Sequence, residues 1–470
     1  MKLIYGCVLC LYSSTIFAQT SNPTDDWIKA DLTQQQRKNI QQNQEITSSS
    51  SVQQQNTVTE MTEQELLAQP QFLEQLLDNA LAEHNIGGVR VLIPIYQQWQ
   101  QYDEILLMYA QATIAQSDGN YAQAIDIYRK IIAKRNDLTP IRVRLVENLI
   151  LDKQWNVAQQ QIMKIQADKD LPQEIAQQLT NAEQWLKKQQ KWQVNANVRY
   201  LNNENINQAP KHQHYGVWRF PTPISAQGLG YDVSLQKNQS FFNHWSWQSG
   251  IFLNGESYWN AHRFDDISLQ AHMGLAYQSA DFDVAILPFY RYRWFAGQSY
   301  AQELGVRTQG QYHFNTQWHG FATVQYSEKH HQQRDFLDGW LWNNALTVLY
   351  IHSPQQSWFA GVDFMIEQVK DKSDSYQRVG MRVGWEQDWN YGISSSSQIG
   401  IAQRDYQAPD IFQIQRQDTE YFMQTTLWHK ALHWKGFTPK ITWQWQKTDS
   451  KHFIYDRDKN QVFLEISKRF

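Results

Sequence analysis

Cysteine is all but missing from this chain: its two copies, Cys7 and Cys10, both lie near the start. A protein processed after Ala18 keeps neither, which excludes disulfides and thiolate metal sites from the mature form. Long apolar runs are missing too. Past the N-terminus no stretch of 18 or more apolar residues occurs and the mean hydropathy is −0.64, so no transmembrane helix can be drawn. Neither sign of charge is in excess. A formal net charge of −4 and a pI near 6.4 give no basis for nucleic-acid binding. No phosphate-cradling glycine loop is present, which leaves nucleotide chemistry without a site.

Aromatic residues are plentiful: they make up 14% of the chain, with 20 Trp and 23 Tyr crowded after about residue 192. Soluble domains seldom need so many amphipathic rings, whereas a membrane barrel uses them as girdles at the two interfaces. The first residues read as a secretory leader over 1–18, with Lys2, an apolar stretch from Leu3 to Tyr12, and Ser13-Ser14-Thr15-Ile16-Phe17-Ala18 before Gln19. A lipid anchor is not indicated, because Leu9 precedes Cys10 where a small residue is needed and Cys7 is too close to the start. Residues 19–61 contain Gln34-Gln35-Gln36, the serines from Ser48 to Ser51, and Gln53-Gln54-Gln55, with few large apolar residues to bury. They read as a disordered tether.

Residues 62–191 carry a helical period. Leu73, Leu76, Leu77, Ala80 and Leu81 share a face, and a second helical stretch is expected from about Tyr96 to Ala115, with Pro94 before it. A repeat of 34 residues sets Asp118-Gly119-Asn120-Tyr121 against Asp152-Lys153-Gln154-Trp155, Ala124 against Ala158, Tyr128 against Ile162, and Ile131 against Ile165. That is the tetratricopeptide period. A small residue at the crossing point lets two antiparallel helices approach, and the ring at 121 or 155 fills the space between neighbouring pairs. The proline expected near the end of the first repeat is displaced to Pro140, and an ordinary helical bundle is the alternative.

From 192 to 470 the period becomes two. Val194, Ala196, Val198 and Tyr200 alternate with polar residues, as do Val379, Met381, Val383 and Trp385, and Ile441, Trp443 and Trp445. In Val284, Ile286, Tyr290, Tyr292 and Trp294 an apolar end passes into an aromatic one while Arg291 and Arg293 face the other way, as in a strand running from hydrocarbon to interface. A soluble sandwich shows the same alternation. The terminus favours a barrel: Val462, Leu464, Ile466 and Phe470 share a face broken only by Lys468, and a final strand ending in an aromatic resembles the signal read by the barrel assembly machine. The expected architecture is therefore a periplasmic tetratricopeptide-like α-helical domain followed by an antiparallel transmembrane β-barrel embedded in outer-membrane lipid. At about 20 residues per strand and turn it has about 14 strands, with 12 and 16 the alternatives.

Chemistry-bearing clusters are sparse. His272, His330-His331 and His352 beside Ser353 carry no recognisable hydrolase signature. His212-Gln213-His214 lacks an evident third ligand and reads as a turn or periplasmic loop. Asp456-Arg457-Asp458-Lys459-Asn460 opens like a calcium loop, but Gln461 stands where Gly is required and Ser467 where a bidentate Glu belongs; it reads as the last hairpin turn. No catalytic residue, metal or cofactor is expected.

Several short segments, taken in order, resemble one family. They are Tyr109-Ala110-Gln111-Ala112, Gly119-Asn120-Tyr121-Ala122-Gln123-Ala124-Ile125, Tyr128-Arg129 and Arg142-Val143-Arg144-Leu145 in the helices. In the barrel they are Asn205-Ile206-Asn207, Ser225-Ala226-Gln227-Gly228-Leu229, Arg404-Asp405-Tyr406-Gln407-Ala408-Pro409-Asp410, Arg416-Gln417-Asp418 and Ser467-Lys468-Arg469-Phe470. Their order and spacing are similar to those of the Slam proteins, the surface lipoprotein assembly modulators. The resemblance implies an outer-membrane translocation factor whose cargo is a surface lipoprotein or a related secreted haem- or iron-acquisition protein. The partners it implies are a cargo with a C-terminal β-rich domain and the barrel assembly machine, and the chain is expected to be a monomer. The helical repeats would grip cargo and the barrel would supply a route, with the energy coming from cargo folding outside.

The cargo-contact candidates are Tyr121, Tyr128 and Trp155 on the repeats, the lumen charges Arg291, Arg293 and Arg382, and Arg416 and Asp418 from the family pattern. The competing roles are repeat packing and pairing of lumen arginines with acids such as Glu386. A polysaccharide exporter or porin-like channel with a repeat domain is the alternative function. Single replacement of His272, His330, His331 or His352 by Ala is expected to leave cargo display at the cell surface unchanged, as read by protease access on intact cells.

Overall fold

The computed structural model describes residues 61–168 and 171–469. The expected leader, all but the last residue of the expected tether, and Phe470 lie outside the described residues. Eight α-helices come first among the described residues: α1 (Glu63–Leu67), α2 (Pro70–Ala82), α3 (Ile86–Tyr96), α4 (Glu104–Ser117), α5 (Tyr121–Lys134), α6 (Thr139–Leu151), α7 (Trp155–Gln166) and α8 (Gln173–Gln189). Side-chain caps start four of them: Thr62, Asn85, Asp103 and Asn120 each accept from backbone N–H groups of the first turn.

The helices repeat as the spacing predicts. α4 and α6 end at Ser117 and Leu151, and α5 and α7 begin at Tyr121 and Trp155. Between them Gly119 (φ 77°) and Lys153 (φ 56°) occupy the same left-handed turn position. The turn closes with Asn120 N–H on the Ala115 carbonyl and Gln154 N–H on the Leu149 carbonyl, both at 2.8 Å. A third copy of this turn lies at His84 (φ 56°), where Asn85 N–H donates to the Ala80 carbonyl, also at 2.8 Å. Sequence reading misses this copy because His84 hides a position that Gly119 advertises.

The expected second helix is corrected accordingly. Helix α3 runs from Ile86 to Tyr96 and contains Pro94 in its last turn, residues 97–103 are turn, and the next helix starts only at Glu104. Gly87 and Gly88 at the head of α3 mask its helical character, and a proline this close to a C-terminus removes little of the helix beyond it. Ala124, Ala158, Tyr128, Ile131 and Ile162 are fully enclosed in the main helical core, which closes against Leu179 and Leu186 of α8.

Among the described residues fourteen barrel strands follow: β1 (Gln193–Asn203), β2 (Ala226–Phe242), β3 (Trp245–Tyr258), β4 (Asp266–Gln278), β5 (Phe282–Phe295), β6 (Gln298–His313), β7 (Trp318–His331), β8 (Gly339–Ser353), β9 (Gln356–Val369), β10 (Tyr376–Asp388), β11 (Ile393–Pro409), β12 (Gln415–His429), β13 (Phe437–Ser450) and β14 (Arg457–Arg469). Each pairs antiparallel with the next, and β14 returns to β1 to close a barrel. The expected strand number is borne out. Thirteen of the interfaces carry 11–14 residue pairs, but β1 and β14 meet over only five, from Asn195↔Arg469 to Arg199↔Glu465.

Side chains alternate as the two-residue period requires. Val284, Ile286 and Tyr290 of β5 and Val379, Met381 and Val383 of β10 are exposed on the outside, while Arg378, Arg382 and Arg404 are buried inside. The segment at 456–460 is corrected. Only Asp456 belongs to the turn, and Arg457 to Asn460 open β14, because Arg457 and Lys459 keep the inward phase of the strand.

Ala158 has no exposed surface and sits where α7 crosses its neighbours. Ala158→Leu is expected to destabilise the helical domain by about 1–3 kcal/mol through overpacking. Urea-dependent proteolysis of the detergent-solubilised full chain, with cleavage sites mapped to the helices, measures this.

Candidate functional site

The helical domain meets the barrel at the end where β1 begins, and the α6–α7 turn makes the contact. Lys153 Nζ donates to Asp283 Oδ1 at 2.6 Å, with both side chains mostly shielded. Asn156 Nδ2 donates to the Phe241 carbonyl at 2.6 Å, and His244 Nε2 lies 3.5 Å from the Asp152 carboxylate. Farther along, Gln239 Nε2 donates to Gln190 Oε1 at 2.7 Å. The β2–β3 and β4–β5 turns are therefore clasped by the second repeat. The left-handed geometry at Lys153 projects this residue from the turn toward Asp283, where a glycine would have nothing to offer.

Of the three ring candidates, two stand near this junction. Tyr121 opens α5, and burial pushes its hydroxyl above the usual tyrosine range, with Asp281 of the β4–β5 turn and Asp152 adding to the effect. Trp155 opens α7 and packs edge-on against Trp185 at 5.9 Å. Tyr128 is corrected: it is 0% exposed within the core, its ring 6.3 Å from that of Tyr109, so it packs the repeat and offers no surface to a partner.

Inside the barrel a cavity of about 920 Å³ runs between two belts of paired charge. In one belt Arg378 holds Asp363 and, through Nε, Glu420 at 3.0 Å, and Arg404 Nε reaches the other Glu420 oxygen at 2.9 Å. Arg382 donates to Thr347 Oγ1 at 2.7 Å, 3.9 Å from Asp363. Arg378 and Arg404 are each 1% exposed, so these are buried ion pairs whose partners cannot be removed singly without leaving an uncompensated charge. In the other belt Arg291 donates to Glu303 at 2.8 Å, Arg293 Nε to Asp266 at 2.8 Å, and Arg199 to Asp232 at 2.6 Å. The three expected lumen arginines are thus all inward.

Arg416 and Asp418 face each other near the far rim, Nε to Oδ2 at 2.7 Å, with the Arg416 guanidinium sandwiched between the Tyr406 ring at 4.5 Å and the Tyr455 ring at 3.5 Å. That arrangement ties β12 to Tyr406 of β11 and to Tyr455 of the 451–456 turn. Sequence reasoning reaches Arg382 but not Arg378 or Arg404, although Arg378 shares the Arg382 face of one strand and Arg404 opens the Arg404–Asp410 segment. Asp363 and Glu420 carried no sequence signal linking them to these arginines. Nor did anything in the sequence tie Lys153 to Asp283.

At the far end, residues 204–225 form a long loop that contains a small hairpin, His214–Tyr215 against Trp218–Arg219. The His212-Gln213-His214 expectation of a periplasmic loop is corrected here, since these residues lie beyond β1 at the end away from the helices. The loop leans over the 410–414 and 451–456 turns. Tyr215 stacks on Phe453 at 3.7 Å, Trp218 meets Phe412 edge-on at 5.4 Å, and Phe220 touches both rings. Beneath them His452 bonds Asp410 at 2.9 Å; burial holds its imidazole below the usual histidine range while Asp410 pulls the other way.

Arg378→Ala is expected to strand Asp363 and Glu420 and cost the barrel about 3–5 kcal/mol. The measurement is the temperature at which the detergent-solubilised chain loses its heat-modifiable gel mobility. Arg378→Lys should recover only part, because an ammonium cannot span both carboxylates as the guanidinium does.

A closed sheet that is apolar outside and polar within crosses a membrane, and a barrel of this kind with helical repeats at one mouth belongs in an outer membrane with those repeats in the periplasm. A model described as surface lipoprotein assembly modifier matches residues 192–470, and one described as the N-terminal TPR repeats of that family matches residues 59–162. The chain is 32% identical over 428 residues to surface lipoprotein assembly modifier 2 of Haemophilus influenzae, with 88% of each chain covered. To surface lipoprotein assembly modifier 1 of Neisseria meningitidis serogroup B it is 30% identical over 425 residues, covering 89% of this chain and 87% of that one. Among solved structures, a bacterial polysaccharide outer membrane secretin aligns at 11% identity and TM-score 0.33 over 60% of this chain and 98% of that one, too distant to bear on function. Repeats, barrel and relatives of matching length agree: the chain belongs to the surface lipoprotein assembly modifier family.

Proposed function

We propose that this protein takes specific cargo, surface lipoproteins or related secreted haem- and iron-acquisition proteins, from the periplasm and delivers it across the outer membrane. The observation that carries this reading is the clasp between the α6–α7 turn and the barrel turns, Lys153 to Asp283 at 2.6 Å and Asn156 to the Phe241 carbonyl at 2.6 Å. It holds a repeat surface at the barrel's periplasmic mouth, so a polypeptide gripped by the repeats is already at the entrance. The names of the relatives point to lipoprotein cargo, and the paired charges of the lumen suit a path that holds no single sign of charge tightly. Tyr121 and Trp155 at the junction are the repeat residues best placed to touch cargo. The cargo would carry a C-terminal β-rich domain, and the barrel assembly machine would insert the barrel. The step is capture and passage without covalent chemistry.

The test is co-expression with the protein encoded by the adjacent reading frame in a heterologous Gram-negative host, scoring protease access on intact cells. Cargo exposed only when this chain is present supports export; cargo left in the periplasm beside a correctly assembled barrel rejects it for that pair. Lys153→Glu is expected to lower display at least fivefold by opposing Asp283. Adding Asp283→Lys to it should restore display, whereas a clasp without a role in export leaves both variants at full level.

A further inference from the structure

Beyond Arg199 and Glu465 the first and last strands part. β1 continues to Asn203 and β14 begins at Arg457, so residues 200–203 and 457–464 have no pairing with each other. Each strand is fully laddered on its other side, β1 to β2 and β14 to β13, so both keep strand conformation and only the facing edges are bare. Alternate residues of an antiparallel edge point both N–H and C=O outward. Half of residues 457–464 therefore aim their backbone groups into the gap. In hydrocarbon such groups have no water to turn to, and leaving them unmatched is costly.

The gap sits in the extracellular half of the wall and is closed at both ends. Below, the five pairs from 195 to 199 zip the strands. Above, the 204–225 loop bridges it: Lys211 Nζ lies 3.4 Å from the Asp456 carboxylate, Gln208 accepts from Arg457, and Tyr215 stacks on Phe453. What remains opens sideways between lumen and lipid. Its β14 edge alternates Lys459, Gln461 and Phe463 toward the inside with Val462 and Leu464 exposed on the outside.

We propose that this gap is a strand-addition site, where an extended segment of the cargo pairs with the free edge of β14 over residues 457–464. The proposal rests on the export reading above and says where cargo engages the barrel. A bare strand edge is matched in donors, acceptors and spacing by another strand, which an acyl chain cannot imitate. The side-chain pattern asks for about eight residues with one apolar and one polar face, as a β-rich cargo provides.

The experiment uses the full chain and the adjacent-frame cargo in the display assay. Asn202→Cys with Val462→Cys places two thiols on the outer face across the gap, to be bridged by a bismaleimide. Val383→Cys with Ile399→Cys places two across a fully paired interface as control. Bridging the gap is expected to cut display at least tenfold, with the control pair and each single-cysteine variant unaffected and heat-modifiable mobility intact throughout. A photocrosslinking residue at Val462 should capture the cargo, and one at Val383 should not. Full display through a bridged gap, or crosslinks from Val462 only to lipid or to the barrel assembly machine, overturns the proposal. Failure of the unbridged chain to display cargo overturns the export reading itself, so the two failures are distinguishable.

Discussion

A backbone in hydrocarbon has nothing to bond except itself, and every other feature of this barrel follows from that. It forces the 279-residue segment matched by the barrel model into a closed ladder in which β14 must find β1. Closure then sorts the side chains: residues such as Ile286 and Met381 turn to lipid, and the alternate positions, whatever their charge, turn inward. Arg378, Arg404, Asp363 and Glu420 are tolerated inside because they answer one another, so each of these four charges meets an opposite one within the wall. Against that background the five-pair seam is the place where the governing rule is least satisfied.

The helical domain obeys a different rule with a similar outcome. Its helices stack because small residues, Ala124 and Ala158, sit at the crossings, and its turns reverse through left-handed residues at His84, Gly119 and Lys153. Two of those turns hold contacts within the helical domain, His84 with Arg144 and Asp118 with Arg90, while the third carries the ion pair to Asp283. One residue thus joins repeat geometry to barrel geometry, and the two rules meet at Lys153.

Much of this was legible in the residues because period is local. The 34-residue repeat, the switch to alternation near residue 192, the inward phase of Arg291, Arg293 and Arg382, and the strand number all follow from spacing along the chain. What stayed hidden depends on encounters distant in sequence or on a residue type that disguises its conformation. His84 hid a repeat turn, Gly87, Gly88 and Pro94 hid α3, and Tyr128, a ring at a repeat position, could not be told from a contact residue until its burial was known. The partners of Arg378 come from strands β9 and β12, on either side of its own, and no local pattern pairs them. The thin seam is equally invisible, since β1 and β14 each alternate like any other strand.

The connections at the extracellular end are uneven. Most are brief, such as residues 296–297 and 410–414, and among the described residues only 204–225 holds a hairpin of its own. The face shown to the surroundings, and to any antibody or phage that inspects it, is therefore dominated by one loop. Yet its rings are committed to Phe412 and Phe453, and its Lys211 to the head of β14. Such a loop is not free to diversify as an ordinary surface loop would. Variation that evades recognition should concentrate at projecting positions such as Val217, 96% exposed, and spare the rings beside it, leaving a fixed patch amid changing neighbours.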